Sequence, residues 1–208
     1  MNWKLINKNK NSQPISGSYS DWKEQIAKEC FYQCVYCSVH EAQFGGIDHY
    51  HIDHFKPKSK FPGDKENILN LFYACPICNR FKRDDWPGEP DLNTVSYINP
   101  SIIDYTELFS LKNSFEIEGK YIASNYIIHR LNLNRAQLII ERRESTVRAK
   151  EIDLREKINS LVITIGEFDS KYVLSILISI TSIYNNLLVL EQKRREVRPY
   201  ELQDIRRS

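Results

Sequence analysis

Apolar and polar residues alternate with period two at His49 to Phe55, and that stretch predicts a strand. Upstream, Ser20 and Asp21 followed by Glu24 predict a capped start for a short helix running to about Cys30. Downstream, Pro57 to Asp64 holds two prolines and a glycine and must loop, whereas Cys75 to Arg83 suits a short helix. The run Trp86, Pro87, Gly88, Glu89, Pro90 stops that helix, which places a domain boundary there: residues 1–90 as a first domain, 91–208 as a second.

In the second half, Phe115 to Ile122 reads as a hairpin turning at Glu118, Gly119 and Lys120. From Ala136 to Leu161 the apolar residues Ile140, Val147, Leu154, Ile158 and Leu161 recur near a seven-residue spacing among many charges, the pattern of one long amphipathic helix. A second helix is predicted after Gly166, through about Arg195. The two should form an antiparallel pair, and Val173, Leu174, Leu177, Ile180, Leu187 and Leu188 give the second more apolar surface than one partner helix covers, so another protein is expected to dock there. Residues 172–190 lack formal charge and are about long enough to cross a bilayer, but Ser175, Ser179, Thr181, Ser182, Asn185 and Asn186 stud the segment and favour a helix pair or an interface.

Composition changes this picture little: 41% hydrophobic and 27% charged residues describe a chain able to fold, and a formal net charge of +2 gives no global pull toward a polyanion. Nucleic-acid binding would therefore rest on local patches, for which Lys56, Lys58 and Lys60 and then Arg80, Lys82 and Arg83 are the candidates. The run Lys193, Arg194, Arg195, Arg198, Arg206 and Arg207 is a third, equally well read as a solvated helix end and tail. The N-terminal MNWKLINKNK has no apolar stretch of signal-peptide length, which leads us to expect a cytoplasmic protein with reduced cysteines.

Four of those cysteines form two CxxC pairs, Cys34 with Cys37 and Cys75 with Cys78. Two such knuckles supply the four thiolates that structural Zn²⁺ takes in a tetrahedron. The fifth, Cys30, sits on the N-terminal helix and reads as a packed thiol.

Zinc does not make an enzyme, so a catalytic case has to come from what lies between the knuckles. Asp53 and His54 stand at a strand end that opens into a Pro-containing loop, where both side chains can approach one site. A carboxylate suits a hard ion such as Mg²⁺ or Mn²⁺, and an imidazole is a base for activating water. Asn79, directly after the last zinc cysteine, can offer an amide oxygen to the same ion. Phosphodiester hydrolysis needs such a metal and such a base. His51, two residues before Asp53, shares its strand face and reads either as an accessory group or as packing. His40, His49 and His129 carry no assignment.

The string CxxC, then Asp53-His54 with Pro57 nearby, then Asn70-Leu71 ahead of CxxCN and a basic tail, resembles the HNH or ββα-metal nuclease motif in its zinc-stapled form. The resemblance implies an α+β fold, a zinc-stapled, treble-clef-like ββα-metal HNH core followed by a mainly helical C-terminal region. It implies Asp53 as a ligand of the catalytic Mg²⁺ or Mn²⁺, His54 as general base and Asn70 as the residue that pins the loop and orients the histidine. Asn79 stands where many relatives have a final histidine, an oxygen donor that favours the harder ions. The wording DHFKPKSKFP, NLFYACPICNRFK, INP at Ile98 to Pro100 and HRLNLNR at His129 to Arg135 is similar to the HNH subunit (PtuB) of Septu-type and retron-associated antiphage systems. That resemblance implies an effector endonuclease working with an ABC-like ATPase subunit (PtuA-type) and, in some systems, a retron ribonucleoprotein. DNA is the favoured substrate and tRNA the alternative. The competing class is a non-catalytic zinc-knuckle adaptor that binds protein or nucleic acid; it makes no use of Asn70 or Asn79.

Overall fold

A computed structural model describes residues 3–165 and 170–196. The chain divides into two compact units, Met1–Arg135 and Ala136–Ser208. The stretch 91–135 therefore lies with the first unit, whereas the sequence alone suggests a boundary at residue 90.

In the first unit, helix α1 (Lys23–Glu29) follows a short 3-10 turn over Tyr19–Trp22. The cap lies earlier than the expected Ser20 and Asp21: Ser18 caps the turn and its amide donates to Asp21 Oδ2 at 2.7 Å, closing the turn ahead of the helix. Strand β1 (His51–His54) pairs antiparallel with β2 (Leu71–Ala74), with His54 opposite Leu71 and Asp53 opposite Phe72. Helix α2 (Pro76–Lys82) follows at once, with Cys75 as its N-cap and Pro76 in its first turn, where the missing N–H is no loss. Helix α1 packs on both strands and α2 returns against β1. The core is formed by Ile26, Ala27, Tyr36 and all four residues of β2, each essentially inaccessible to solvent. Tyr50 stacks on Tyr73 with ring centroids 4.8 Å apart.

The N-terminal arm crosses this core, Trp3 donating to the Tyr36 carbonyl at 3.2 Å and Ile6 to the Pro100 carbonyl at 3.0 Å. After α3 (Tyr105–Leu108) comes a second hairpin, β3 (Phe109–Leu111) with β4 (Ile117–Gly119). It turns at Lys112–Glu116, not at Glu118 to Lys120. Gly119 is a packing glycine: a Cβ there would lie 2.5 Å from the Asn125 amide of α4 (Ile122–Arg130). The sequence shows the glycine but not the helix that crowds it.

The second unit holds α5 (Ala136–Ile165) and α6 (Ser170–Glu196), packed on each other, with an ion pair of 3.9 Å between Arg155 and Glu191. Along α6, Val173, Ile176, Ile180, Ile183, Leu187 and Leu190 are buried or half-buried at alternating three- and four-residue steps. A parallel seam one residue later, Leu174, Leu177, Thr181, Tyr184 and Leu188, is exposed. Tyr172–Gln192 is long and apolar enough to cross a membrane by length and composition. Arg198, Arg206 and Arg207 lie outside the described residues.

Candidate active site and zinc site

The CxxC at Cys34 turns sharply, with the Ser38 amide donating to the Cys34 carbonyl at 2.8 Å, and it docks on β2 through the Val35 amide and the Tyr73 carbonyl at 3.0 Å. The second CxxC opens α2, so the hairpin and helix bring the two pairs together. The four sulfurs lie within 4.8 Å of one another, all buried, and Cys37 Sγ is 3.7 Å from Cys75 Sγ. Thiolates around zinc at about 2.3 Å stand about 3.8 Å apart, so this cluster fits a tetrahedral Zn²⁺. Burial holds the Cys34 thiol well above its ordinary range, and hydrogen bonds, first from Cys34, push Cys75 down. Metal binding there would draw off the thiol protons, since the thiolate is the ligand. Arg135, far from the cysteines in sequence, adds a charge: its guanidinium donates to Cys78 Sγ at 3.7 and 3.8 Å, where it would offset the net negative charge of a divalent ion held by four thiolates.

Well downstream of the strand end, Asn70 closes the loop between β1 and β2. Its Oδ1 accepts from the Lys56 amide at 2.7 Å, and its Nδ2 donates to the Lys56 carbonyl at 3.0 Å and the Asp64 carbonyl at 3.2 Å. The loop so tied presents the Lys65 carbonyl to His54 Nε2 at 3.0 Å. A carbonyl only accepts, so Nε2 carries the proton and Nδ1 is left with its lone pair. Tyr19 meets the ring edge-on at 4.7 Å. Burial lowers the His54 pKa below 6.5; the Lys65 carbonyl and Asp53 oppose that, and Lys58 and Lys82 add to it. The imidazole is thus neutral near pH 7.

Asp53 is buried beside it. Its Oδ2 accepts from Tyr36 Oη at 2.5 Å, and the Lys82 ammonium reaches both carboxylate oxygens, at 3.2 and 3.1 Å. Lys82 also donates to the His54 carbonyl at 2.7 Å. Expected as a nucleic-acid contact, Lys82 is instead wholly buried, because the last turn of α2 points it under β1 rather than outward. Sequence spacing shows its charge, not its direction.

A cleft of about 330 Å³ opens on this cluster, lined by Asp53, His54, Lys58, Ser59, Asn79, Arg83 and Asp84, among others. Asp53, His54 and Asn79 are thus brought together, while His51 is exposed and outside the cleft. Among the described residues nothing hydrogen-bonds the Asn79 side chain, which leaves its oxygen available. An ionised carboxylate has about four lone-pair sites, and Lys82 and Tyr36 use three at Asp53. One site on Asp53, the Asn79 oxygen and the neighbouring Asp84 suit an ion that keeps several waters, as Mg²⁺ does. In the sequence Asp84 is one of two consecutive acids after the helix, with nothing local to distinguish it. Of the basic candidates, Lys56 pairs with Glu89 at 3.0 Å, Lys58 donates to Tyr19 Oη at 2.8 Å, and Lys60, Arg80 and Arg83 are exposed.

Two knuckles, an antiparallel hairpin and a helix, with histidine, asparagine and asparagine in sequence, describe one kind of site. Residues 34–85 match the family model for HNH endonuclease. No curated protein matches the chain. The matched segment runs from Cys34 to Asp85 and so contains both CxxC pairs, β1, β2 and α2. The similarity points to nuclease-type, hydrolytic chemistry, and the matched segment contains the four-cysteine cluster that could hold a metal. Asp85, where the match ends, is a structural pin: it accepts from Tyr97 at 3.0 Å, from Arg130 at 2.9 Å and from Tyr126, fixing the end of α2 to α4.

Proposed function

We propose that the protein is a divalent-metal-dependent endonuclease that hydrolyses phosphodiester bonds in nucleic acid, with His54 as general base. The observation that carries this reading is the His54 tautomer: Nε2–H is tied to a backbone carbonyl, so a neutral imidazole keeps its other nitrogen unprotonated on a residue that lines one cleft with Asp53 and Asn79. Asp53 and Asn79 would hold the ion, with Mg²⁺ or Mn²⁺ matching their oxygens and zinc confined to the four cysteines. When bound, such an ion neutralises phosphate charge and stabilises the departing oxygen. His54 Nδ1 takes a proton from the attacking water, and Asn70 keeps the ring in register by holding Lys56 and Asp64. Lys58 and Arg83, at the cleft wall, meet the phosphates on either side. The products expected are a 5′-phosphate and a 3′-hydroxyl.

The test is cleavage of plasmid DNA and of tRNA with Mg²⁺ or Mn²⁺, wild type beside His54→Ala. A His54→Ala enzyme with unchanged turnover, or a 3′-phosphate product, overturns the assignment. A non-catalytic adaptor is the second reading, and one observation favours it: Lys82 and Tyr36 already satisfy much of Asp53. Metal-dependent cleavage that disappears in His54→Ala excludes it.

In the cell we assign the chain to the effector role of a Septu-type antiphage complex, on the motifs around Asp53, Cys75, Asn99 and His129. An ABC-type ATPase would then be its partner. The exposed seam of α6 supports a docking helix from such a subunit, since three-and-four spacing of apolar residues is what a coiled-coil partner reads. Truncation after Asn134 should abolish co-purification with the ATPase.

A further inference from the structure

Beside the cleft lies a second groove, of about 580 Å³, lined by Pro76, Ile77, Arg80, Phe81, Arg83 and Arg130. Arg83 lines both. It sits at the end of α2 with φ 51° and ψ −129°, a conformation that favours glycine, and its Nε donates to the Arg80 carbonyl at 3.2 Å. Arg80 is exposed, and Arg130 spends only its Nε on Asp85, with its side chain 38% exposed. Three arginines thus line one groove whose remaining lining is apolar and includes a half-buried aromatic residue.

Charge alone would suit any polyanion, double-stranded or single-stranded. The apolar lining discriminates. In a duplex the base faces are stacked away, and a groove of this kind could meet only phosphates. An unpaired base presents a face to Phe81 and to the guanidinium planes, while its own phosphates reach the arginines. Because Arg83 is shared, the nucleotide in the groove is next to the phosphate in the cleft.

We propose that the groove is a subsite for an unpaired nucleotide flanking the scissile phosphate, so that the substrate is a single-stranded or locally unpaired polynucleotide. Cleavage at that phosphate rests on the nuclease reading; the binding preference does not.

The experiment measures binding by full-length, zinc-loaded His54→Ala protein to labelled oligodeoxythymidylate, oligouridylate and a DNA duplex of equal length, over a series of salt concentrations. Single strands should bind more tightly than the duplex. Phe81→Ala should weaken single-strand binding about tenfold and leave the duplex unchanged, and Phe81→Trp should retain it. Arg80→Ala should weaken both and lower the single-strand salt slope by about 0.7. The tighter of the two single strands identifies whether DNA or RNA is the natural source. Zinc content and melting of each variant show that it is folded. Duplex binding equal to single-strand binding, or a folded Phe81→Ala protein with parental affinity for all probes, overturns the subsite. Cleavage by the protein with His54 intact reports separately: if nothing is cut while the Phe81-dependent preference holds, the nuclease reading fails and the subsite stands.

Discussion

Replacing Lys82 by methionine tests the centre of the site. The substitution keeps the length of the stem and removes a wholly buried ammonium that contacts both oxygens of Asp53 and the His54 carbonyl. Asp53, itself 3% exposed, is then left with Tyr36 as its remaining partner. Breaking a buried pair from one side costs about 3–5 kcal/mol, because the surviving charge is uncompensated. For a unit the size of Met1–Arg135 that corresponds to a drop of roughly 10–20 °C in melting temperature. Combining Lys82→Met with Asp53→Asn removes both charges and should recover at least half of the loss. A divalent ion offers Asp53 a replacement cation, so Mg²⁺ at about 100 times its Kd should restore up to about 2.7 kcal/mol in Lys82→Met, more than it adds to wild type. Thermal and urea unfolding of zinc-loaded proteins, with and without Mg²⁺, measure all of this. A Lys82→Met protein with wild-type stability would refute the burial argument. One that is destabilised but indifferent to Mg²⁺ would refute Asp53 as a metal ligand.

Cys75→Ser, or removal of zinc by a chelator, should unfold the first unit rather than slow it, and elemental analysis should find one zinc per chain; native stability without zinc would remove the site. His54→Ala should lose roughly two to four orders of magnitude in cleavage rate while still binding polynucleotide, measured in single-turnover assays. Because burial lowers the His54 pKa, the base is deprotonated above that pKa, so wild-type activity should rise with pH along a limb centred below 6.5; a limb centred above it would contradict the environment seen around the ring. Arg83→Gly should raise stability by about 0.5–1 kcal/mol in urea unfolding by relieving the positive φ, and should weaken polynucleotide binding; a destabilised variant would mean the backbone there is unstrained.

The local parts of the fold and site are legible in the residues alone. Two CxxC pairs can be matched to a tetrahedral ion by residue type and spacing, and the geometry then shows four buried sulfurs within 4.8 Å. The alternating stretch that contains Asp53 and His54, the prolines that forbid a continuous strand, and the heptad-spaced residues of α5 likewise follow from short-range sterics and periodicity. Direction and distance come from long-range packing. Only packing shows that Lys82 turns inward while Arg80 and Arg83 turn out, that Gly119 makes room for α4 instead of a turn, and that residues 91–135 join the first unit. Arg135, 57 positions from Cys78, reaches the four-cysteine cluster, and Phe81 shares a groove with Arg130. Charges and glycines are visible in a sequence; which of them meet depends on long-range burial, which no local pattern encodes.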